Sequence, residues 1–561
     1  MMDFEELMVY EKKLLYTPLS CGKHLLELST YQDIALWWFV DWSFHYSLMR
    51  IKKEESQEIT SVVGKVIPIN VTRFFYRFVV DRIDFVIKYT SFLLYILFRK
   101  SLPNRKISDK KKVILFTGED IEWRPVLDIS SGKQKKQDQF FSSLISTLQK
   151  KNYVLISTYD VRFPFYKSFS TVVDKLQHWD VLHVPFEMYY TIKIYHEWKL
   201  ASRHFKKVWA EIEVDPLFQQ LLRSAGFKNE DKIRDFIRNY FTNVFPHNLK
   251  QISIAKHLIK RINPSVIVIE EETGMFERAL LIAARLKGVP TLAIQHGNFN
   301  LTHTGYRFKK GQIAEDLSIC SPFVQIPDKT AVYGEYHKHL LTDMSAYPSH
   351  AVVVTGQPRY DLLISFGEWF SRSRFERKWG ISPNKKLILW TTQCHAFPDW
   401  ENLSYFEAVF NALRIIENVT LIIKQHPGEG ERYTQMIHRQ VSDYGVDVRV
   451  VPKDMDTFEM LFVSDLLITN HSTTGMEAVA LNKPVIILNL SGEPDIVNYV
   501  EDGVALGVYK KEDLGPVIRK LLADDTELAV HRQEYVRKYL YKIDGKASER
   551  VAEVIRVLNR E

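Results

Sequence analysis

A short run of hydroxyl side chains near the end of the chain follows an apolar segment and could bind a phosphate group. The segment Leu466–Thr469 has the composition of a buried strand, and a helix is predicted to begin near Thr474. A helix that starts directly after a strand points unpaired N–H groups and the positive end of its dipole at one place. The hydroxyls of Ser472, Thr473 and Thr474 add donors that suit a phosphate. Glu477 in the first turn suits a ribose hydroxyl pair, and the alternative for the whole motif is an ordinary N-capped helix.

Three other polar turns follow apolar runs in the same half of the chain. Pro427 forces the chain out of the preceding strand and leaves His426 at its end, able to donate a hydrogen bond to a phosphate. The turn at 392–395 is polar and suits a phosphate or a sugar, and a third turn presents an arginine. For each turn the alternative is ordinary loop chemistry. The residues predicted to bind a phosphorylated ligand in these turns are Arg359, Thr392, Gln393, Lys424, His426 and Pro427.

Carboxylates end another predicted strand, at 266–270. Glu271 and Glu272 follow Glu270 directly, so three like charges meet at one strand end. Their repulsion raises at least one pKa and favours a proton acceptor among them, whereas the alternative is a solvated acidic loop before a helix. The next strand ends at His296, beside a glycine. His296 is therefore a candidate for a cleft residue, the alternative being a structural histidine.

The sequence predicts no metal site. Asp454-Met455-Asp456 has the Asp-x-Asp spelling of many metal-dependent sugar transferases, but no second carboxylate cluster follows it. Capping of the helix predicted at 457–462 explains these aspartates better. The cysteines, Cys21, Cys320 and Cys394, are too widely spaced for a zinc cluster or a disulfide framework, which fits a reducing compartment.

Short apolar runs separated by helical stretches predict two series of parallel strands covered by helices. The first series is predicted at 113–116, 154–158, 181–184, 266–270 and 292–295, and the second at 331–333, 352–355, 387–391, 419–424, 448–450, 466–469 and 485–488. The predicted fold class is therefore α/β, with two facing doubly wound Rossmann-like domains and a helical N-terminal region. Ligands bind beyond the carboxyl ends of such strands, where the candidate residues lie. The predicted domains are a helical region at 1–108, a first Rossmann-like domain at 109–325, a second at 326–540 and a closing helix at 541–561.

Composition narrows the class of protein and its partners. The 561 residues are 46% hydrophobic and 25% charged, which is typical of a globular chain of several domains. The net charge of +7 comes without any nucleic-acid-binding motif, so no nucleic acid partner is expected. The acidic start of the chain lacks the features of a signal peptide, and we expect a cytoplasmic protein at the inner face of the cell membrane. An aromatic stretch with a basic flank at 74–112 favours either peripheral membrane contact or packing on the protein itself.

Taken together, the motifs resemble those of the GT-B glycosyltransferases, over residues 110–555. The resemblance is nearest to the polysaccharide-building group, which includes surface-carbohydrate transferases, CDP-glycerol glycerophosphotransferases, sialyl- and Kdo-type transferases and UDP-N-acetylglucosamine 2-epimerases. The 2-epimerases have an arginine-rich turn where this chain has Thr392-Gln393-Cys394-His395, which argues against epimerisation. The motifs that carry the resemblance are Gln295-His296-Gly297, Gly356-Gln357-Pro358-Arg359, Lys424-Gln425-His426-Pro427, Thr469 to Ala478, Asn482-Lys483-Pro484-Val485 and Asp544 to Arg550.

The resemblance implies a glycosyltransferase that moves a sugar from a nucleotide-sugar donor to a lipid-linked or polysaccharide acceptor in cell-surface glycan synthesis. The donor is a substrate, and no cofactor or metal is implied. Its phosphate would lie at His426, Ser472 and Thr473 of the second domain. An acidic-acidic-Gly motif supplies the general base in the sialyltransferase-like families. Here it is displaced by one residue, which leaves the choice between Glu271 and Glu272 open.

Two alternatives to sugar transfer stay open at this point. One is a CDP-alditol glycerophosphotransferase-like enzyme, because such enzymes share the same phosphate motifs. The other is a catalytically inactive GT-B binding protein. For the sugar transferase we expect His296 to orient groups across the cleft.

Overall fold

The computed structural model describes residues 13–32, 34–39, 112–118, 122–128, 133–151, 153–159, 174–175, 181–224, 230–299, 303–314 and 323–560. The segment 74–112, for which membrane contact was one of two interpretations, lies outside the described residues except for its last residue. Among the helices of the described ranges, none combines the length and the apolar character that crossing a membrane requires.

Seventeen strands occur in the described ranges. They are β1 (Thr30–Tyr31), β2 (Ile34–Ala35), β3 (Val113–Gly118), β4 (Trp123–Asp128), β5 (Lys133–Asp138), β6 (Val154–Tyr159), β7 (Leu182–Pro185), β8 (Val266–Ile269), β9 (Thr291–Ile294), β10 (Lys329–Val332), β11 (Val352–Val354), β12 (Lys386–Thr391), β13 (Val419–Lys424), β14 (Val448–Val451), β15 (Leu466–Thr469), β16 (Val485–Leu488) and β17 (Leu506–Val508).

The α-helices alternate with these strands, and short 3-10 and π-helical turns connect several of them. The α-helices are α1 (Leu25–Leu28), α2 (Ser142–Gln149), α3 (Ile192–Glu213), α4 (Pro216–Arg223), α5 (Glu230–Asn239), α6 (Phe245–Ile262), α7 (Met275–Arg285), α8 (Glu335–His339), α9 (Phe366–Trp369), α10 (Arg372–Trp379), α11 (Asp399–Arg414), α12 (Glu431–Tyr444), α13 (Thr457–Val463), α14 (Thr474–Ala480), α15 (Leu514–Ala523), α16 (Thr526–Tyr535) and α17 (Ala547–Leu558).

The first sheet has seven parallel strands in the order β11-β10-β9-β8-β3-β6-β7. Its strands are buried apolar runs, as expected of a parallel sheet covered on both faces. Side chains of α6 and α7 pack on one face, and those of α2 and α17 pack on the other. The predicted fold class is confirmed for this half of the chain.

The second sheet has six parallel strands in the order β14-β13-β12-β15-β16-β17. Helices α13 and α14 pack on one face, and α11 and α15 pack on the other. The molecule therefore contains two doubly wound Rossmann-like units, as predicted.

Two strands belong to a different sheet from the one that the sequence predicts. The runs at 331–333 and 352–355 were expected to open the second series, and this expectation is wrong. β10 pairs in parallel with β9, and β11 pairs with β10, so both extend the first sheet. Strand composition alone does not tell which sheet a run joins, and the second sheet begins only with β12.

The closing helix returns to the first domain. Val551 and Ile555 of α17 lie in the same apolar cluster as Ile114 and Phe116 of β3. The Asp361 carboxylate accepts hydrogen bonds from the backbone N–H groups of Ala547 and Ser548, at 2.8 and 2.7 Å. Since a carboxylate at a helix start satisfies otherwise unpaired donors, Asp361 fixes where α17 begins.

Candidate functional site

Both sheets reverse their strand order at one point, and several of the predicted site residues follow the strands at these two points. In the first sheet the reversal falls between β3 and β8, and in the second between β12 and β15. Ligands of doubly wound sheets bind in the crevice outside the carboxyl ends of the strands at such a reversal. The residues after β8 are the three glutamates, and those after β15 are the hydroxyl-rich turn.

A histidine–glutamate pair lies at the carboxyl ends of β8 and β9 in the first sheet. The Nδ1 atom of His296 lies 2.7 Å from Oε1 of Glu270, and the His296 ring stacks on Phe140 with 5.5 Å between ring centroids. The His296 side chain is 45% exposed, whereas that of Glu270 is 4% exposed. A hydrogen bond from Nδ1–H to the carboxylate leaves Nε2 on the open side of the ring, where it can take up a proton.

Two more carboxylates surround this pair. Glu122 precedes the β4–β5 hairpin, and Asp138 at its end accepts hydrogen bonds from the N–H groups of Phe140 and Phe141. Burial raises the pKa of Glu270, and the charges of Glu122 and Asp138 act in the same direction. Burial lowers the pKa of His296, but the hydrogen bond and charge of Glu270 outweigh this effect and raise it above its usual range. The pair therefore keeps a proton up to alkaline pH.

The two glutamates predicted as the base are placed differently from each other. Glu272 is 3% exposed and accepts hydrogen bonds from the hydroxyls of Thr330, Tyr347 and Tyr306, at 3.2, 3.3 and 3.4 Å. Its burial raises its pKa to about 7. Glu271 is half-buried and contacts the Thr273 hydroxyl. Glu272 is thus part of a buried polar network, and it is Glu270 that contacts His296.

Side chains at the edge of the second sheet bond to one another. The Gln393 amide lies 2.9 Å from Nδ1 of His471 and accepts a hydrogen bond from the His471 N–H at 3.0 Å. The Thr392 hydroxyl donates to Glu429 at 3.0 Å. The predicted residues after β12 are therefore held against those after β15. Thr392 and Gln393 line a small pocket that also includes Phe397, Tyr405 and Asn470.

His426 has the opposite ring arrangement to His296. Its Nδ1 accepts a hydrogen bond from the Gly428 N–H at 3.1 Å, which places the ring proton on Nε2. Burial, with the nearby charge of His395, lowers the pKa of His426 to about 4. With its pKa lowered in this way, His426 is a neutral hydrogen-bond donor at physiological pH. Lys424 is buried instead, and its Nζ donates to the carbonyls of Gln425 and Lys453.

The hydroxyl-rich turn begins α14 as predicted. The Ser472 and Thr474 hydroxyls lie 2.9 Å apart, and the Thr474 N–H donates to the Ser472 hydroxyl at 3.2 Å. The Thr473 side chain is exposed. Gly475 is required for packing, because a Cβ there would lie 2.7 Å from the Tyr499 ring. Of the three residues, Thr473 is the most exposed.

Two of the predicted ligand-binding residues form an ion pair. The Arg359 guanidinium lies 2.8 Å from Oε1 of Glu477 and 4.1 Å from the centroid of the Phe458 ring. Burial raises the pKa of Glu477, and the charge of Arg359 opposes that rise. Glu477 was predicted to bind ribose hydroxyls, but its Oε1 already contacts the Arg359 guanidinium. Asp456 accepts from the Phe458 N–H at 2.9 Å, which confirms the predicted capping of α13.

The loops at the carboxyl ends of the two sheets lie close to each other. A Cβ added to Gly297 of the first domain would lie 3.6 Å from Cγ2 of Thr473 in the second. The Arg124 side chain of the β4–β5 hairpin is close enough for its charge to lower the pKa of Lys424 and His426, in addition to the larger effect of burial. A ligand that contacts Thr473 therefore lies next to the His296 loop.

One group of side chains has ligand atoms close enough for a metal ion. Glu122, Glu270 and His296 each have one such atom within 4.8 Å of the others. In the part of the chain that the structure describes, no second group meets this distance criterion. Glu122 is, however, 3.1 Å from the Arg124 guanidinium and also contacts Gln139. A cation in this group would have to displace a guanidinium that already neutralises one of its ligands.

Sequence reasoning missed the residues that the hairpin contributes. The strand β5 is polar throughout, and β4 contains Pro125, so neither shows the apolar alternation that indicates a strand. Glu122, Arg124 and Asp138 reach the site only through this hairpin. Glu270 was recognised as a strand-end carboxylate, but the sequence carries no signal of its contact with His296, 26 residues away.

Comparison with known proteins identifies the family. Residues 227–557 match the model of the family described as CDP-glycerol:poly(glycerophosphate) glycerophosphotransferase. This match covers more than half of the chain and all of the site residues above except Glu122, Arg124, Asp138 and Phe140. The chain belongs to this family. The predicted relation to the surface-polymer transferases is thereby confirmed.

Two proteins of named activity match parts of this chain. The processive diacylglycerol beta-glucosyltransferase of Bacillus pumilus is 25% identical over 239 residues, which are 41% of this chain and 60% of that protein. The teichoic acid poly(ribitol-phosphate) polymerase of Bacillus spizizenii is 26% identical over 220 residues, which are 36% of this chain and 33% of that protein. The match thus spans less than two thirds of either relative.

The solved structures that match the backbone of this chain include an epimerase and a polymerase. The UDP-N-acetylglucosamine 2-epimerase of Neisseria meningitidis has a TM-score of 0.47 at 14% identity, over 79% of this chain and 99% of that one. The wall teichoic acid polymerase TagF has a TM-score of 0.45 at 12% identity, over 85% of this chain and 98% of that one.

Proposed function

We propose that this protein transfers an alditol-phosphate unit, with glycerol phosphate as the first candidate, from a CDP-linked donor to a hydroxyl of a lipid-linked or polymeric acceptor. The observation that carries the proposal is the half-exposed His296, backed by buried Glu270, opposite the Thr473 turn of the second domain. The family match at 227–557 supports the choice of donor. The reaction belongs to the synthesis of cell-surface polymers.

The pair of His296 and Glu270 suits a general base. Nδ1–H donates to Glu270 and fixes the orientation of the ring, so that Nε2 accepts the proton of the acceptor hydroxyl. The acceptor oxygen attacks the phosphorus that carries the glycerol, and a new P–O bond forms. The bond from that phosphorus to the bridging oxygen breaks, and CMP leaves with the electron pair. In this assignment Glu270 is a positioning residue, and neither Glu271 nor Glu272 takes the proton.

The second domain would hold the donor. His426 donates its Nε2–H and Thr473 its hydroxyl to phosphate oxygens, and Ser472 shapes the turn that carries Thr473. Neutral donors that are fixed before the ligand arrives stabilise charge on phosphate without reorganisation. Four of the residues predicted for the donor lie near this phosphate site: Arg359, Thr392, Gln393 and Glu477. Three others support the loops of the site: Lys424, Pro427 and Thr474.

Sugar transfer from a nucleotide-sugar donor is the second candidate. It is favoured by the similarity to a glucosyltransferase that acts on diacylglycerol. The same base and the same donor turn would serve it, because both reactions take a proton from a hydroxyl and release a nucleotide phosphate. The donor is what distinguishes the two candidates.

A donor screen tests the proposal. The full-length protein is incubated with a lipid-linked acceptor and CDP-glycerol, CDP-ribitol, UDP-glucose or UDP-N-acetylglucosamine, and nucleotide release and acceptor mass are measured. We expect CMP release and an added glycerol phosphate, with the melting temperature raised by CDP-glycerol in the native protein and not in His426→Ala/Ser472→Ala. Turnover of UDP-sugars alone would select sugar transfer. Binding of a nucleotide without turnover of any donor would indicate an inactive binding protein.

A further inference from the structure

Two buried side chains hold the backbone of the loop that carries His296. The Tyr333 hydroxyl donates a hydrogen bond to the carbonyl oxygen of His296. The amide nitrogen of Gln357 donates to the Tyr333 hydroxyl at 2.8 Å and lies 3.4 Å from the carbonyl oxygen of Gln295. Tyr333 and Gln357 are each 3% exposed. A chain of hydrogen bonds therefore runs through the protein interior from Gln357 to the backbone of His296.

The direction of each hydrogen bond in this chain is fixed. An amide N–H group can only donate, whereas a tyrosine hydroxyl can accept one hydrogen bond and donate another. Burial raises the pKa of Tyr333 above its usual range, so its hydroxyl keeps the proton that it donates to His296. Removal of this hydroxyl would leave the His296 carbonyl and the Gln357 amide without their shared partner, which is costly for buried polar groups.

The pairing of two strands places the Tyr333 ring. Tyr333 follows β10 directly, and β10 pairs in parallel with β9, the strand that precedes His296. The Tyr333 N–H donates to Oε1 of Gln295 at 2.8 Å, and the Gln295 N–H donates to the Ala331 carbonyl at 2.9 Å. The backbone of the sheet therefore sets the position from which the Tyr333 hydroxyl reaches His296.

The other end of the chain lies on a turn that also contacts the second domain. The Arg359 N–H donates to Oε1 of Gln357 at 3.4 Å, and the Arg359 guanidinium pairs with Glu477 of α14. Helix α14 begins at the hydroxyl-rich turn to which the donor phosphate was assigned above. The turn from Gln357 to Arg359 therefore contacts both the His296 loop and the helix of the proposed donor site.

We propose that Tyr333 and Gln357 are positioning residues for His296. By fixing the His296 carbonyl they hold its ring against Glu270 and keep Nε2 directed into the cleft. Neither residue contacts the reacting atoms in this assignment. The contacts stand on the geometry, and their effect on transfer rests on the proposed role of His296 as the base. A displacement of about 1 Å at a reacting group can cost about 10²-fold in rate, so the loss of one such contact should be measurable.

A second contact confines the effect to His296. The Nε2 atom of His337 lies 2.9 Å from Oδ1 of Asn298, two residues beyond His296. Burial lowers the pKa of His337 to about 3, so this ring is neutral at physiological pH. Removal of the Tyr333 hydroxyl leaves the contact of His337 with Asn298 in place. We therefore expect the loop to stay folded while the His296 backbone loses its restraint.

Chemical modification tests the position of His296 without turnover. Diethyl pyrocarbonate reacts with a neutral imidazole, and the His296 side chain is 45% exposed. The pH profile of its modification, followed by peptide mass spectrometry of the full-length protein, therefore reports its pKa. Burial lowers this pKa, but the hydrogen bond and charge of Glu270, with the charges of Glu122 and Glu271, outweigh that effect.

Two variants should move this profile in the same direction. We expect Tyr333→Phe and Gln357→Met to shift the modification of His296 to lower pH, because a ring that is no longer held against Glu270 loses the contact that raises its pKa. An unchanged profile in Tyr333→Phe would overturn the proposal whatever the activity of the variant.

Transfer kinetics test the consequence for the reaction. Tyr333→Phe should lower kcat by about 10- to 100-fold and leave KM for the donor unchanged. In the His296→Gln background the same substitution should cost nothing further, because the base that it positions is absent. Tyr333→Phe/Gln357→Met should resemble Tyr333→Phe, since Gln357 acts through the hydroxyl. A further loss of similar size in the His296→Gln background would indicate a general structural role and overturn the proposal.

Tyr347→Phe is the matched control. Tyr347 is also 3% exposed, but its hydroxyl contacts Glu272 instead of the His296 loop. We expect native kcat and a native modification profile, and equal effects in the two Tyr→Phe variants would overturn the proposal. A shifted profile in Tyr333→Phe, with native kcat in this variant and in His296→Gln, would support the positioning contact and overturn only the base assignment. Circular dichroism confirms that each variant is folded.

Discussion

The two strand-end histidines face the same cleft and have opposite chemistry. His296 in the first domain donates from Nδ1 to buried Glu270, and its pKa is raised, so that Nε2 can accept a proton once the ring has lost its own. His426 in the second domain accepts at Nδ1 from the Gly428 N–H and keeps a proton on Nε2, and its pKa is lowered. The partner of Nδ1 therefore decides whether a histidine is suited to take a proton or to hold a phosphate.

The largest expected effect follows from removing the first of these histidines. His296→Gln should lower kcat by about 10²- to 10⁴-fold, because a positioned base contributes that much to proton transfer. Donor binding should stay unchanged, since in this assignment the second domain holds the donor. Transfer assays and titration with the nucleotide check both expectations. His438→Gln, on the exposed side of α12, is the control and should have native kcat.

A smaller effect on a different constant is expected for the second histidine. His426→Phe should raise KM for the donor by about 10- to 100-fold, because a hydrogen bond to a charged group is worth about 1.5–3 kcal/mol. His426→Gln keeps a side-chain N–H and should recover part of the loss. Between pH 6 and 9, roughly, donor affinity should not vary through His426, whose pKa is lowered to about 4. If His426→Phe lowers kcat and leaves KM unchanged, the contrast between the two histidines does not hold.

The sequence predicts where these residues lie better than it predicts what they contact. Every strand predicted in the two series is present, because buried parallel strands such as Val266–Ile269 are unbroken apolar runs. The order of strands, and with it the membership of β10 and β11 in the first sheet, depends on pairing between segments distant in the chain. For the same reason the sequence does not distinguish Glu270 from Glu272. Their difference is set by His296 in one case and by Thr330 and Tyr347 in the other.

The role of Glu270 can be tested by its effect on the pH dependence of kcat. Because His296 must lose its proton to act as a base, kcat should rise with pH through the neutral range and above it. Glu270→Gln still accepts from Nδ1–H but removes the charge that raises the pKa of His296, so the rising limb should move to lower pH. We expect kcat on the plateau to fall by about tenfold, since a weaker base transfers the proton less readily. An unchanged limb would mean that another group controls the rate.

The smallest effect is expected for Glu272, and it concerns stability. Burial raises the pKa of Glu272 from 4.5 to about 7, so the folded protein binds this proton more tightly than the unfolded chain does. The free energy of unfolding should therefore fall as pH rises from about 4.5 to about 7, by at most about 3 kcal/mol from this group. Glu272→Gln stays neutral, so its stability relative to the native protein should increase through this window and then level off. Urea unfolding at several pH values measures the difference.

Glu271→Gln is the companion variant for activity, because Glu271 is half-buried and lies next to Glu272 in the chain. Both variants should keep a native kcat, since neither side chain contacts His296 in the arrangement described. A large loss of kcat in either variant, with donor binding intact, would return the base to the acidic motif and leave His296 with an orienting role. His296 and His426 would then differ in where they lie in the cleft, and His296 would not be the residue that takes the proton.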